Sequence, residues 1–412
     1  MNKKILIIGN GAKEYALAKK LSENNDIYIT PGSDTLREFA TCLDIREDSI
    51  PELLEFVMEN SIDITVTFSE KAIRSNIATL FCQNKQPVFA PTAKAHEIVS
   101  NKAMAKKLLY KLRIPTPKFG IFEKLNPANE YIKNQNYPFV IKTNDKNSAT
   151  IVTSEKTAKN ILESIFAEKN KQAIIEDYIY GAPFSFYTIT DGYKALPIGS
   201  SLTYKHSLEG NGGQLTNGMG ACIPNYKLSV ENEYFLMDNI IYPTLEYLEM
   251  NGNPYLGILG VNGILTDDNQ VIILGWQSFT QDTDTDGILN SIDDNLYDLF
   301  YSCIIGSFSD EVNNICINQK QFVSLVLNNK NKNNNENIIN GLEKLDENTI
   351  VSFYPSVTKN KYLEFEAPNG PVIVITSSSS SLAKAADKVY IEANDIDFSG
   401  IFYRKDICKI NN

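Results

Sequence analysis

Residues 4–17 read Lys4-Ile5-Leu6-Ile7-Ile8-Gly9-Asn10-Gly11-Ala12-Lys13-Glu14-Tyr15-Ala16-Leu17, and their reading decides how the chain begins to fold. After Lys4 the aliphatic run has no polar break, the pattern of a strand buried on both faces. Two glycines follow, and residues 12–24 then take a helical spacing. Glycines between a strand and a helix let the backbone come close to a ligand and aim N–H groups at a phosphate. Further short β-rich runs stand at 26–29, 64–67 and 87–89, with amphipathic stretches between them. Strands alternating with helices imply parallel βαβ units, so residues 1–100 are expected to form an α/β domain with a doubly wound parallel sheet.

The pattern changes past Asn101. A lysine-bearing helix over 101–112 is closed by the breaker Ile114-Pro115-Thr116-Pro117. Strands at 137–142 and 173–178 flank a helix near 157–167, and a strand at 184–189 leads to a glycine-rich segment, 209–220. A helix over 232–250 precedes a hairpin, 257–265 with 271–276. The Asn/Lys tract 328–340 is of low complexity and reads as a solvated loop. Strands at 349–354, 363–367 and 372–376 with a helix at 382–392 suggest a small closing α+β domain. Three units are therefore expected, 1–100, 101–315 with a subdomain at about 118–182, and 316–412.

The 412 residues carry a formal charge of -11 with 43% apolar side chains, ordinary for a globular chain. That balance argues against nucleic acid and against anionic membrane surfaces as partners, because both need basic protein surface. No apolar run is long enough to span a bilayer, and the ILII stretch is too short for a signal peptide. The six cysteines are scattered and only two histidines occur, so reduced thiols, a cytoplasmic location and no zinc site are expected.

Several segments together resemble the glycinamide ribonucleotide synthetase (phosphoribosylamine–glycine ligase) family of the ATP-grasp superfamily. Residues 7–17 are similar to its G-x-G-G-R-E-H-A-L loop. Val88-Phe89-Ala90-Pro91-Thr92 and Ser100-Asn101-Lys102-Ala103-Met104-Ala105-Lys106 resemble V-F-G-P-T and S-K-x-x-A-K. Asn253-Pro254-Tyr255-Leu256-Gly257 is similar to N-P-Y-x-G. Phe398-Ser399-Gly400-Ile401-Phe402-Tyr403-Arg404-Lys405-Asp406-Ile407 resembles F-x-G-x-x-Y-R-K-D-I. The segments keep the family's order and spacing from residue 5 to about 407.

The resemblance implies an ATP-grasp fold after the N-terminal domain and a reaction joining glycine to 5-phosphoribosylamine with ATP. It implies Lys102 and Lys142 on the ATP phosphates and the backbone of Glu176, Asp177, Tyr178 and Ile179 along adenine. Gly9, Gly11, Glu14, Thr216, Gly218, Met219 and Asp284 fall at substrate positions, and Lys205 and Asp282 at catalytic ones. The implied partners are these small molecules, the implied cofactors ATP and Mg2+, and the implied state a monomer or weak homodimer.

This sequence departs from the family at named places. The glycine-rich flap after Lys142 has lost its glycines, Thr150 takes a lysine's position, and Lys146 is the one nearby substitute. Pro183 stands for a ribose-binding Glu and His206 for an Arg. In the magnesium motif E-F-N-x-R the chain has Gly275-Trp276-Gln277-Ser278-Phe279. That leaves Gln277 as the candidate metal ligand, without a carboxylate beside it. Two functions therefore stand open, a drifted ligase and an inactive homologue that binds nucleotide or a partner. Asp282-Thr283-Asp284-Thr285-Asp286-Gly287 also resembles the start of a calcium loop, but Asp293 occupies the position of its closing Glu.

Overall fold

The computed structural model describes residues 2–144, 149–169, 171–331 and 337–409. Its N-terminal sheet contains Lys3–Ile8 (β1), Asn25–Thr30 (β2), Thr41–Cys42 (β3), Ile64–Thr67 (β4) and Val88–Phe89 (β5). All pairings are parallel, in the order β3-β2-β1-β4-β5. Ile5 and Ile7 join one hydrophobic core while Leu6 and Ile8 join another, so helices cover both faces of β1. This is the doubly wound domain expected from residues 4–17. The helix after the glycines runs Ala12–Ser22, ending two residues short of the expected 24.

Phe119–Phe122 (β6), Phe139–Lys142 (β7), Thr150–Val152 (β8) and Ala173–Asp177 (β9) form a second, antiparallel sheet in the order β6-β9-β7-β8. The helices Leu125–Ile132 and Glu155–Ala167 pack Ala128, Ile132, Ala158 and Leu162 against it. Ser154 starts the second helix by accepting a hydrogen bond from the Thr157 amide.

The largest sheet runs through most of the remaining chain. Its strands are Ala182–Asp191 (β10), Ala195–Leu208 (β11), Gly212–Ile223 (β12), Leu256–Leu265 (β13), Val271–Ser278 (β14), Gln321–Asn329 (β15), Ile350–Phe353 (β16) and Gly370–Ser379 (β19). The order is β14-β13-β10-β11-β12-β15-β19-β16, with Ile401–Phe402 (β20) also on β15. A separate two-strand pair joins Thr358–Lys359 (β17) to Phe365–Glu366 (β18). The boundary expected at 315/316 therefore does not interrupt the sheet, because β12 pairs directly with β15.

The glycine-rich segment 209–220, given no element in the sequence reading, is largely strand β12. A Cβ on Gly220 would lie 2.3 Å from the Ser324 carbonyl oxygen, so the glycine allows the two strands to approach. Cys222 and Cys408, expected as separate reduced thiols, are joined in a disulfide with their Cα atoms 5.9 Å apart. Among the described residues, no helix is long and apolar enough to cross a membrane.

Candidate functional site

A cavity of about 450 Å³ lies between the four-stranded sheet, the helix Lys102–Lys111 and strands β10 to β14. Asn101 caps that helix by accepting from the Met104 amide at 3.0 Å. The cap fixes the first turn, so Lys102 and Lys106, four residues apart, reach the same wall. Lys106 is 2% exposed, and its ammonium lies 2.8 Å from a Glu176 carboxylate oxygen. It also donates to Thr116 Oγ1 at 2.9 Å, and that hydroxyl donates to the Ile273 carbonyl at 2.8 Å. Lys142, at the end of β7, pairs with the other oxygen of Glu176 on neighbouring β9.

One buried carboxylate thus serves two lysines. Burial alone would raise the Glu176 carboxyl, but Lys142 and Lys106 hold it below the usual range. Burial pushes Lys106 down to about 8, with Glu176 opposing the shift. Lys106 belongs to the S-K-x-x-A-K resemblance but was not assigned a site role. Its i, i+4 relation to Lys102 was the available signal.

Past Asp177 strand β9 ends, and Tyr178 and Ile179 continue along the cavity wall outside any sheet. The turn at Gly181 has φ +148°, and a Cβ there would lie 2.3 Å from the Leu265 carbonyl oxygen. Pro183, Lys205, His206 and Thr216 line the same space. The Lys205 ammonium has no hydrogen bond or ion pair among the described residues. Burial pushes it down, while Asp284 pulls the other way. Thr216 donates to the Lys205 carbonyl at 2.9 Å and accepts from the Gly218 amide at 3.1 Å. Met219 is 3% exposed and belongs to the hydrophobic core, away from the cavity lining.

Lys146 lies outside the described residues. The residues flanking that gap do touch the site. Ala149 lines the cavity, and Asn144 accepts from the Ala103 amide at 3.3 Å. Thr150 is exposed on β8.

At the β13–β14 end the side chains are neutral. Gly275 faces Asn262 in register, and no atom lies within 4 Å of where its Cβ would be. Asn262 Oδ1 accepts from Ser185 Oγ at 2.9 Å and from Gln281 Nε2 at 3.0 Å. The same Gln281 nitrogen lies 3.1 Å from Gln277 Oε1. Among the described residues no three His, Cys, Asp or Glu side chains gather as a cation site. Magnesium requires hard oxygen ligands and is usually held by carboxylates, so this donor set does not fit it.

A second cluster surrounds the glycine loop. Glu14 is 3% exposed, and its carboxylate would be 2.9 Å from a Cβ on Gly9 and 2.7 Å from one on Gly11. The glycines thus let Glu14 fold back beneath the loop, where burial raises its carboxyl. The Lys13 amide donates to Asp282 Oδ1 at 3.2 Å, and Tyr354 approaches the same aspartate. Phe279 has φ +65°, is fully buried and stacks on Phe68 with ring centroids 3.7 Å apart. The Phe279 ring occupies the position where the resemblance has arginine.

Asp284 is fully buried and accepts from the Tyr187, Ser201 and Thr283 hydroxyls, the last two at 2.7 Å. Asp286, also buried, accepts from Ser352 at 2.8 Å. Asp282, Asp284 and Asp286 thus have separate partners and do not converge as a calcium loop would.

The C-terminal motif supports the cavity from behind. Arg404 is 1% exposed and donates to both Asp406 oxygens at 2.8 and 2.7 Å. It also donates to the His206 carbonyl at 3.0 Å and to Asn211 Oδ1 at 3.3 Å. Those contacts tie residues 404–406 to the β11–β12 hairpin that carries Lys205.

Comparison with known proteins places this geometry. The phosphoribosylglycinamide synthetase N domain matches residues 3–98, and the ATP-grasp (A) domain of the same synthetase matches residues 100–285. A phosphoribosylamine–glycine ligase of Caldanaerobacter subterraneus is 28% identical over 422 residues, covering 98% of this chain and 99% of the relative. That of Halalkalibacterium halodurans is 26% identical over 417 residues, covering 98% and 96%. The crystal structure of the Thermotoga maritima phosphoribosylamine–glycine ligase superimposes with a TM-score of 0.81 at 20% identity, covering 98% of this chain and 100% of that one. A biotin carboxylase from Campylobacter jejuni superimposes with a TM-score of 0.73 at 14% identity, covering 99% and 94%, which extends the shared fold beyond one activity.

Proposed function

This chain belongs to the phosphoribosylglycinamide synthetase family, and from that premise we propose that it is a phosphoribosylamine–glycine ligase. The reaction joins ATP, glycine and 5-phosphoribosylamine into glycinamide ribonucleotide, ADP and phosphate. The observation that carries the reading is a cavity into which three separate segments bring Lys102, Lys142 and Lys205.

Glycine's carboxylate attacks the γ-phosphorus and ADP leaves, giving an acyl phosphate. The amine of phosphoribosylamine then attacks the acyl carbon, expels phosphate and forms the amide. Lys102 and Lys142 neutralise the phosphates, and residues 176–179 offer backbone to the base. Lys205 offers its ammonium to the same phosphates from β11 as the transfer proceeds, and Thr216 with Gly218 shapes the wall beside it. Asp282, held by the Lys13 amide and near Tyr354, orients the amine at the glycine loop. No step is assigned to magnesium, because Gly275 and the amides around Gln277 do not supply its ligands. A monomer or weak homodimer belongs to the same proposal, and a cytoplasmic setting suits these substrates.

A second reading has its own support. The neutral amides at β13–β14 and the Phe68–Phe279 stack suit a relative that binds nucleotide and turns over little. Phosphate release measured with ATP and each substrate separates the two. Release that requires both glycine and phosphoribosylamine supports the ligase. ATP binding with no such release supports the second reading.

A further inference from the structure

Among the described residues, the polyphosphate end of the cavity combines surplus positive charge with no cluster of cation ligands. There Lys102, Lys106, Lys142 and Lys205 line the space, against Glu176 and Asp177. Glu176 is already shared by Lys106 and Lys142. Across the cavity, where the resemblance puts a metal-binding carboxylate, Gly275 has no side chain. The neighbouring amide oxygens carry no charge and already accept hydrogen bonds. Asn262 Oδ1 accepts two hydrogen bonds, and Gln277 Oε1 accepts one from Gln281. A divalent cation here would meet lysines, neutral amides and an open gap.

We propose that this chain grips the nucleotide's polyphosphate through lysine ammonium groups alone, taking free ATP rather than a protein-held metal complex. The inference rests on the nucleotide-site reading above and holds for either function considered there. Ammonium groups and phosphate oxygens attract directly, and each charge of a metal already on the phosphates weakens that attraction. Metal complexation is therefore expected to hinder binding to this site, or at best leave it unchanged.

The test is calorimetric titration of the full chain with ATP, once with excess Mg2+ and once with EDTA. Expected is an affinity in EDTA equal to that in Mg2+ or up to about tenfold tighter. Binding weaker in EDTA by tenfold or more overturns the inference and leaves the nucleotide site standing. No binding in either buffer overturns the nucleotide site as well. The variant Gly275→Glu, for which the structure leaves space, completes the test. It is expected to shift the preference towards Mg-ATP by tenfold or more relative to the unaltered chain. An unchanged preference in a folded, ATP-binding G275E would show that residue 275 does not face the phosphates' cation, and would overturn the inference.

Discussion

The side chains that set this protein apart are few, and each has a measurable consequence. Phe279 lies fully buried on Phe68. Replacing it by the arginine the family pattern carries would put a guanidinium into that apolar contact. Phe279→Arg is expected to cost about 3–5 kcal/mol in urea unfolding, and Phe68→Gly made alongside should cost less than the two changes summed. Asp286 carries a pH signature. Burial raises its carboxyl to about 6, with Ser352 and Thr376 opposing. A raised folded pKa gives stability that is fully present below the unfolded value, near 4, and lost as pH climbs through 6. The unaltered protein should thus gain on Asp286→Asn by up to about 3 kcal/mol as pH falls from 6 to 4, read from paired unfolding curves. A pH-independent difference would count against that assignment. Residue-level reading of the sequence found Lys102, Lys142 and Gly275 by position. It missed Lys106, because a helical lysine looks the same in sequence whether it faces water or a buried glutamate.

At the scale of elements, the β11–β12 hairpin is held by a residue almost two hundred positions away in sequence. Arg404 bonds the His206 carbonyl, Asn211 and both oxygens of Asp406. Arg404→Met keeps much of the volume but removes every one of these donors. It is expected to destabilise the fold by about 2–4 kcal/mol and to raise the KM for ATP more than it lowers kcat, since Lys205 rides on the hairpin. A change confined to kcat would argue that the hairpin does not need this clamp. Short strands such as β1 and β4 were legible because an unbroken aliphatic run or a β-branched run marks a strand buried on both faces. Strand β12 was not, because its glycines serve close strand approach and look like a loop. Strand β15 was obscured for another reason, since its last residues run into the Asn/Lys tract.

For the molecule as a whole, the continuous sheet sets the unit of folding. Sequence suggested a small closing α+β domain from 316. The pairing of β12 with β15 joins that part to the preceding strands in one sheet. A fragment of residues 1–315 would expose the full edge of β12 and strip cover from Ala221 and Ile223 in the core. It is expected to bind a hydrophobic dye and lose near-ultraviolet circular dichroism while keeping far-ultraviolet signal. A cooperative, dye-silent fragment would show that the boundary is real. The doubly wound start of the chain, by contrast, was readable in its strands at 4–8, 26–29, 64–67 and 87–89, though not in the two-residue β3, which is too short to leave a pattern.

The Arg404 clamp also has a meaning in time. During synthesis the lysines at 102, 142 and 205 emerge first, and the hairpin bearing the last of them waits for residue 404 before it is fastened. A ribosome that stalls or stops early therefore releases a polypeptide with its cationic groups made but not yet gathered. Such a product would carry its hairpin unfastened, so an unfinished copy is expected to hold nucleotide more weakly than a finished one.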